Sequence, residues 1–272
     1  MDSSDIFWKI SMYRGFVTYS YNSGDVIIGR QRVAWGTGKF WNPTDLFNPY
    51  NPLGVERDER PGVDALKWEQ STGPLSKIAA VYAHRNTKTG EKTALKYRTN
   101  LNGYDFSIMT GKFADTDVIG MDFSGSIGDV GIHGEGVYRI NGIARHKPSL
   151  VLGGEYTFRS SLYLLLEYYY NDEGQKNSYE YDIQRLLAGE IVNLGREYLG
   201  VSAGYDFSGI LRGDLYSIYN IRDKSIFIQP AIRYSIATDF DWSVGIQIFA
   251  GKTNSEFGRL KNIYYTQVQW FF

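Results

Sequence analysis

Asn262-Ile263-Tyr264-Tyr265-Thr266-Gln267-Val268-Gln269-Trp270-Phe271-Phe272 is the last stretch of the chain, and its side chains alternate in character. One face of an extended segment would carry mainly apolar residues, namely Tyr264, Thr266, Val268, Trp270 and Phe272. The other face would carry Tyr265, Gln267 and Gln269, with Phe271 as the exception. A period of two over this length predicts a β-strand whose two faces meet different surroundings. Because the stretch ends on aromatic residues instead of a polar tail, we expect its apolar face to lie against lipid.

The composition suits a membrane barrel although it looks polar. The chain has 272 residues, of which 16% are aromatic, and its mean hydropathy is −0.33. A barrel averages out polar because only alternate residues of each strand touch lipid. No stretch approaches the roughly 18–20 apolar residues that a membrane helix needs. We therefore expect all-β structure in a single domain, residues 1–272, because no linker or change of composition divides the chain.

Alternation of the same kind recurs along the whole chain. Leu164 and Leu166, for example, share one face of a segment whose other face carries Glu167. The length suits a transmembrane antiparallel β-barrel of about 14–16 strands, at roughly 10 residues a strand plus connections. We predict fifteen strands, near residues 11–21, 25–35, 63–71, 77–85, 93–100, 104–112, 117–125, 129–140, 149–158, 162–171, 197–207, 210–219, 225–236, 241–251 and 261–272. Pro230 removes a backbone donor from one of them, so we expect a β-bulge there.

The connections between these segments alternate in length. Short ones carry turn residues, as in Asn100-Leu101-Asn102-Gly103, and they alternate with connections of more varied length, such as 36–62 and 172–196. This alternation predicts short periplasmic turns on one rim of the barrel and longer extracellular loops on the other. Within 172–196, apolar residues recur at helical spacing and predict a short helix: Ile183, Leu186, Leu187 and Ile191.

An odd number of strands raises a question of closure. Both ends of a closed antiparallel barrel leave from the same rim, which requires an even number of strands. Either one strand is missing at the N-terminus, or the prediction has joined two strands into one or has counted a strand that does not exist. Met1-Asp2-Ser3-Ser4-Asp5 also lacks the basic start and the apolar core of a signal peptide, which an exported barrel needs. We therefore expect a mature form or a fragment, with a cytoplasmic protein as the alternative reading.

The most specific stretch of the sequence begins at Gly29. Gly29-Arg30-Gln31 runs into Trp35-Gly36 and then into Asn42-Pro43-Thr44-Asp45-Leu46-Phe47-Asn48-Pro49. This pattern resembles bacterial outer-membrane porin-like families, in which a Gly-(Arg/Lys)-Gln-x-x-x-Trp-Gly strand precedes a loop with a Thr-Asp-Leu-x-Asn-Pro turn. The motif extends through Ala65, and the rest of the chain resembles the class only in its alternation and in its last strand.

The resemblance implies an outer-membrane channel of a Gram-negative bacterium that passes small hydrophilic solutes by passive diffusion. Its implied partners are the lipid bilayer, these solutes and the barrel-assembly machinery, which would read Trp270 and Phe272 as an assembly signal. It also allows a homo-oligomer. It implies no catalytic residues and no cofactor. A net charge of −1 gives no reason to expect nucleic-acid binding.

The polar faces of the predicted strands carry charges that segregate around the wall. The first five strands contribute a basic arc of Arg14, Arg30, Arg32, Lys67, Lys96 and Arg98, together with Glu69. The next five contribute an acidic arc of Asp105, Asp122, Glu135, Glu155 and Glu167, with His133 and Arg139. Two such arcs would face each other across the pore and impose a field on passing solutes. The alternative is that these charges only keep a wide lumen wet or brace its wall, and a register slip of one residue would exchange the faces.

The connection 36–62 is long for a compact protein and carries aromatic residues that are too apolar for a free surface loop. We expect it to fold into the lumen and narrow the pore. The residues at this constriction would be Phe40, Trp41, Asp45 and Phe47. The alternative is that the connection packs on the rim against a neighbouring subunit.

Other chemistry has little support in the sequence. The chain has no Cys, and its three histidines, His84, His133 and His146, do not form a metal-ligand spacing. Ser124 and His133 fall on neighbouring predicted strands, which is a weak indication of a hydrolase. Besides this minor reading as a barrel enzyme, two classes of function remain. One is a porin-like channel. The other is a structural barrel that sheaths or anchors a partner protein, such as a secretion or electron-conduit component.

Overall fold

Fifteen antiparallel strands form one sheet in the structure, a computed structural model that describes residues 12–48, 53–54, 62–84, 90–141, 145–187 and 191–271. The strands are β1 Gly15–Tyr21, β2 Gly24–Gln31, β3 Val63–Gly73, β4 Ser76–Ala83, β5 Lys92–Leu101, β6 Tyr104–Phe113, β7 Thr116–Ile127, β8 Val130–Asn141, β9 Arg145–Thr157, β10 Leu162–Asn171, β11 Glu197–Ser208, β12 Leu211–Asn220, β13 Ser225–Ala237, β14 Phe240–Ala250 and β15 Ile263–Trp270. Each strand pairs with the next one along the chain. The predicted all-β antiparallel barrel architecture is confirmed, and every predicted strand overlaps an observed one.

The two faces of the sheet differ in the way that the alternation predicts. On β10, Leu164 and Leu166 are 37% and 52% exposed, whereas Leu165 and Glu167 between and beside them are 4% and 0% exposed. The buried face is covered by residues of the β2–β3 connection, and we call it the inner face. An outer face of exposed apolar residues around an inner face of polar residues is the reverse of a soluble protein, and it is the arrangement of a barrel wall in lipid.

The connections lie on two different rims. Seven tight connections, at 22–23, 74–75, 102–103, 128–129, 158–161, 209–210 and 238–239, lie on what we call the turn rim. The ends of β2, β4, β6, β8, β10, β12 and β14 lie at the opposite rim, which we call the loop rim. The β5–β6 turn places Asn102 and Gly103 at φ values of 53° and 86°, which a tight hairpin turn requires at both central positions. The alternation of short and longer connections is therefore as predicted.

Helical structure in the described residues lies in the β10–β11 connection. A 3₁₀ turn spans Ser178–Glu180, and a short helix, α1, spans Ile183–Leu187. The predicted short helix in this connection is confirmed. None of the described helical segments has the length and apolar composition of a membrane-crossing helix.

The first and last strands are two free edges in the described sheet. Both β1 and β15 run from the loop rim to the turn rim, and no pairing joins them in the part of the chain that the structure describes. A backbone edge inside a bilayer has no water to bind its N–H and C=O groups. Antiparallel closure between these edges would need one further strand that runs in the opposite direction.

The predicted β-bulge at Pro230 is wrong. The register of β13 against β14 is the same before and after this residue, with Ile228 opposite Ile248 and Ala231 opposite Gly245. The missing donor of the proline therefore adds no extra residue to the strand. The register shifts farther along, between Ser235 and Ala237, beside the turn rim.

Candidate functional site: a loop on the inner wall

The β2–β3 connection lies inside the barrel wall over the part that the structure describes. Phe40, Trp41 and Phe47 are 0%, 3% and 2% exposed, and Asp45 is 2% exposed. We call residues 33–48 the inner loop. The four predicted constriction residues thus all lie in the interior, and the rim-packing alternative does not describe this segment. Residues 49–52 and 55–61 of the same connection lie outside the described residues.

One end of the inner loop packs on a patch of small apolar side chains. Val33, Trp35 and Phe47 of the loop are buried against this patch, which consists of Ala65, Ala79, Val81, Ala83, Ala94, Met109, Val118 and Val137. The rings of Trp35 and Phe47 meet edge to face with their centroids 5.4 Å apart. Alanines at inward positions leave the depth that these large side chains fill, because interiors pack without voids.

The middle of the inner loop packs on aromatic residues of the opposite half of the wall. The ring of Phe40 stacks on that of Tyr216 at 4.1 Å, and the ring of Trp41 stacks on that of Tyr169 at 5.1 Å. Gly200 makes room for this contact, since a Cβ atom at that position would lie 2.7 Å from the ring of Phe40. The loop therefore bridges two separate apolar patches along the inner wall.

Five consecutive backbone N–H groups of the inner loop donate to two wall carboxylates. The N–H groups of Thr37 and Gly38 donate to Oε1 of Glu135, at 2.6 and 2.5 Å. The N–H group of Lys39 donates to Oε2 of Glu167 at 2.8 Å, and those of Phe40 and Trp41 donate to Oε1 at 3.0 Å. Successive N–H groups that point the same way form a concave site for an anion. The carboxylates of Glu135 and Glu167 on the wall thus occupy the anion site that the loop backbone forms.

Both carboxylates have further partners that fix their orientation. Oε2 of Glu135 accepts hydrogen bonds from the backbone N–H and the hydroxyl of Thr44, at 3.1 and 2.7 Å. Nε2 of His133 lies 2.9 Å from Oε2 of Glu167. Gly153 makes room for this imidazole, because a Cβ atom there would lie 2.3 Å from Nε2. Buried carboxylates that accept several hydrogen bonds hold a segment firmly, since such charge-assisted bonds are the stronger ones.

Three side chains tie other parts of the same connection to the wall. Nζ of Lys96 donates to Oδ2 of Asp122 at 2.7 Å and to the carbonyl oxygen of Trp35 at 2.5 Å. Nζ of Lys92 donates to the carbonyl oxygen of Leu46 at 2.9 Å. The side-chain amide of Gln247, on β14, donates to the carbonyl oxygen of Leu53 at 3.0 Å. Side chains of β5 and of β14 thus both hold the β2–β3 connection.

A second connection of the loop rim also folds inward. Glu256, in the β14–β15 connection, accepts hydrogen bonds from the backbone N–H of Leu194, the hydroxyl of Tyr198 and the amide of Asn220, at 2.9, 2.6 and 2.7 Å. Its neighbour Phe257 is 0% exposed and belongs to the same apolar cluster as Phe40. Burial raises the pKa of the Glu256 carboxyl above its ordinary value. The β2–β3 and β14–β15 connections therefore both pack on the loop-rim half of the inner wall.

Charged side chains on the turn-rim half of the inner wall range from partly buried to well exposed. Arg98 pairs with Asp105 at 2.6 Å, and these side chains are 59% and 33% exposed. Lys67 and Lys77 share the carboxylate of Glu69, at 3.5 and 3.4 Å. A recess of about 410 Å³ lies among these residues beneath Trp35. Across the wall, Arg212 pairs with Asp206 and Asp214 at 3.0 and 2.9 Å.

The structure separates the residues of the predicted basic arc. Lys67, Lys96 and Arg98 lie on the inner face, whereas Arg14 and Arg32 lie just outside the ends of β1 and β2. Arg30 was expected to face inward, and the structure places it on the outer face, where it pairs with Asp64 at 2.8 Å. The reason is the register, since Gly29 and the buried Gln31 occupy the inward positions of β2 on either side of it.

The residues of the predicted acidic arc all lie on the inner face, but most of them do not line open space. Asp122, Glu135 and Glu167 are 5%, 2% and 0% exposed and bind the inner loop or its tether. Asp105 and Glu155 remain partly exposed, and Glu155 accepts a hydrogen bond from the hydroxyl of Tyr163 at 2.5 Å. The two arcs also meet directly, through the Arg98–Asp105 and Lys96–Asp122 pairs.

Several inner residues of the site were not predicted. Lys39 on the loop, Lys77 and Arg212 on the wall, and Glu256 all lie in the interior. The alternate residues Ala79, Val81 and Ala83 could have indicated a covering loop, because apolar residues on a face that should meet water must be covered by another part of the chain.

The two predicted assembly-signal residues lie at the end of the chain. Trp270 is 68% exposed on the outer face, and Phe272 lies outside the described residues. Within the described residues, no group of three potential metal ligands occurs.

Comparison with known proteins finds similarity in structure but not in sequence. No protein-family model matches the sequence, and no curated protein matches it. The outer membrane protein opdK from Pseudomonas aeruginosa superposes with a TM-score of 0.64 and 11% identity, over 94% of this chain and 78% of that one. Pseudomonas aeruginosa OccK10 (OpdN) gives 0.61 and 10%, over 86% and 77%. Acinetobacter baumannii OccAB1 gives 0.60 and 11%, over 94% and 76%. The chain therefore has the fold of these barrels.

Proposed function

We propose that the protein is a channel of the bacterial outer membrane that lets small hydrophilic solutes or ions diffuse passively. An apolar outer face and a charged inner face support a membrane barrel with a wet interior. Its fold is that of opdK, which is described as an outer membrane protein. The motif from Gly29 to Pro49 adds the resemblance to porin-like families.

The observation that carries the proposal is the attachment of the inner loop to the wall. Its five N–H groups on Glu135 and Glu167 hold the loop along the inner wall, where it reduces the cross-section. A partner sheathed by the barrel would need that space, so this loop favours a channel over a sheath. The loop is then the constriction that the sequence predicts for residues 36–62.

Solutes would meet paired charges of both signs below the loop. Lys67 and Arg98 remain the basic side of this path, and Asp105 and Glu155 remain the acidic side, with Arg14 and Arg32 at its margins. Charges of both signs along a narrow path orient dipolar solutes and disfavour apolar ones, whose entry displaces oriented water. This arrangement assigns no catalysis, since His133 is 3% exposed and engaged with Glu167.

Two further assignments belong to the same proposal. Trp270, on the exposed outer face of β15, would act with Phe272 as the signal for barrel assembly. The protein would then contact the assembly machinery and the outer-membrane lipid, with homo-oligomers as one arrangement in the membrane.

The experiment is single-channel recording of the refolded protein in a planar bilayer, with Glu135→Gln/Glu167→Gln measured in parallel. Each substitution puts an amide N–H₂ where the loop N–H groups need an acceptor, so the loop should leave the wall and the unitary conductance should rise. Glu173→Gln is the matched control, because Glu173 pairs with Lys147 at the loop rim. Deletion of residues 40–58 should raise the conductance further.

The outcomes separate the channel from the sheath. Discrete steps that grow in the double variant support the channel and its constriction. An unchanged conductance in both the double variant and the deletion would rule out the constriction. A folded, heat-modifiable protein that gives no steps would instead favour the structural barrel that holds a partner.

A further inference from the structure

Lys39 is the exposed charged residue of the inner loop, whereas Asp45 is buried. Phe40 and Trp41 are buried against the wall, whereas the side chain of Lys39 is 49% exposed. The loop thus packs its large aromatic side chains on the wall and leaves one ammonium group partly exposed. A lysine side chain that is free to meet water is the expected partner for passing ions.

The backbone of Lys39 is held in place although its side chain is exposed. Its own N–H group donates to Glu167 at 2.8 Å, and the groups before and after it, on Gly38 and Phe40, donate to Glu135 and Glu167. The same bonds that attach the inner loop to the wall therefore hold the backbone that carries this ammonium group. A charge on a constriction has more effect on passing ions than a charge in a wide vestibule.

One wall carboxylate lies beside the ammonium group. Nζ of Lys39 lies 3.8 Å from Oε1 of Glu155, whose other oxygen accepts a hydrogen bond from Tyr163. On β11, β12 and β13, the inner wall carries Asp206 and Asp214 together with Arg212 and Arg233, so acidic and basic groups balance there. A distance of 3.8 Å is at the outer limit of a direct ion pair, and both side chains of the Lys39–Glu155 pair meet solvent. Lys39 thus offsets the charge of the Glu155 carboxylate on the inner wall.

From this geometry we infer that Lys39 determines the charge selectivity of the constriction. Its ammonium group repels cations at a site that would otherwise favour them, and it leaves a path for anions and for the negative end of dipolar solutes. The inference rests on the proposed channel function. It goes beyond that function because it assigns selectivity to one residue of the loop and not to the basic arc of the wall.

The test is the reversal potential of the refolded protein across a salt gradient near 0.1 M. Lys39→Gln should raise the ratio of cation to anion permeability on the order of threefold, and Lys39→Glu should raise it further. Both variants keep the backbone N–H group that binds Glu167, so the loop stays attached and a shift of the reversal potential reports the side-chain charge. At about 1 M salt the Debye length falls to roughly 3 Å, and the difference between variants should shrink.

Two matched controls make the result specific. Lys77→Gln removes a charge of the same sign from the inner wall, and Lys112→Gln removes one from an exposed site on β6. The expected result is a shift in the Lys39 variants that exceeds the shift in both controls. A Lys77→Gln shift as large as that of Lys39→Gln would overturn the inference, because selectivity would then be spread over the lumen. So would unshifted reversal potentials in variants that conduct, whereas absence of current from the unaltered protein would overturn the channel itself.

Discussion

Lys96 and Arg98 lie on the same face of β5, one on either side of Tyr97, yet they meet very different surroundings. The Lys96 side chain is 10% exposed and its partner Asp122 is 4% exposed, whereas Arg98 and its partner Asp105 are 59% and 33% exposed. The inner loop covers the Lys96–Asp122 pair, and Nζ of Lys96 also donates to the carbonyl oxygen of Trp35. The Arg98–Asp105 pair lies outside this cover, toward the turn rim, and lines the recess. Neighbouring positions on the same face of β5 therefore carry a buried ion pair that holds the loop and an ion pair that meets water.

The comparison extends to the two halves of the interior. In the loop-rim half, carboxylates such as Glu167 and Glu256 are buried and accept hydrogen bonds from backbone and side-chain donors. In the turn-rim half, pairs such as Arg212–Asp206 keep 35% and 48% of their side-chain surface. Burial makes each buried charge depend on its partner, while water substitutes for a lost partner at the exposed pairs. The same residue types thus hold the loop in one half and face solutes in the other.

The largest effect of this difference is expected for Lys96→Met. The substitution keeps most of the side-chain volume but leaves Asp122 buried without its cation, and it frees the carbonyl oxygen of Trp35. Removing one partner of a buried pair typically costs about 3–5 kcal/mol. Urea unfolding of the refolded protein in detergent should show this as a lower free energy of unfolding. Arg98→Met is the matched control, and equal losses in the two variants would contradict the comparison.

Some features of this interior can be predicted from the sequence. The alternation on β10 and β15 predicts which residues meet lipid, because a strand has a fixed period of two. The aromatic residues Phe40 and Trp41 predict an inward loop, because such side chains need cover. These features are local, and local patterns suffice to predict them.

Other features depend on partners far apart in the chain. The attachment of Thr37–Trp41 to Glu135 and Glu167 joins segments about a hundred residues apart, and no pattern in the sequence links them. Arg30 shows a second limit, since its face depends on the register that Gly29 and Gln31 adopt in β2. Charge type alone also does not predict burial. Lys96 and Arg98 look equivalent until the loop that covers one of them is in place.

A smaller effect is expected from the second inward connection as pH changes. Burial raises the pKa of the Glu256 carboxyl, so the packed connection binds a proton more tightly than an unpacked one. The contribution of this group to packing is therefore fully present below about pH 4 and is lost as pH rises through the raised pKa. Hydrogen exchange of residues 251–262, corrected for the intrinsic pH dependence, should show weaker protection at neutral pH than at acidic pH.

Glu256→Gln tests the origin of that pH dependence. Glutamine cannot ionise, so the change in protection between acidic and neutral pH should be smaller than in the unaltered protein. The amide must place one donor toward the N–H of Leu194 or toward Tyr198 and Asn220, and some loss of protection at all pH values is expected. Glu91→Gln, at an exposed position of the loop rim, should leave the pH dependence intact. A dependence that survives Glu256→Gln would assign it to another group.

The smallest effect on stability is expected for Arg98→Met, and it completes the comparison with Lys96. Asp105 keeps a hydrogen bond from the amide of Asn100 at 3.0 Å and remains open to water, so the variant should lose less than about 1 kcal/mol of unfolding free energy. Its conductance should still change, because the guanidinium group is exposed in the path and its removal leaves Asp105 to attract cations. A variant with normal stability and altered current is what a solvated wall charge produces. A large loss of stability at Arg98 would mean that the turn-rim half depends on its ion pairs as the loop-rim half does.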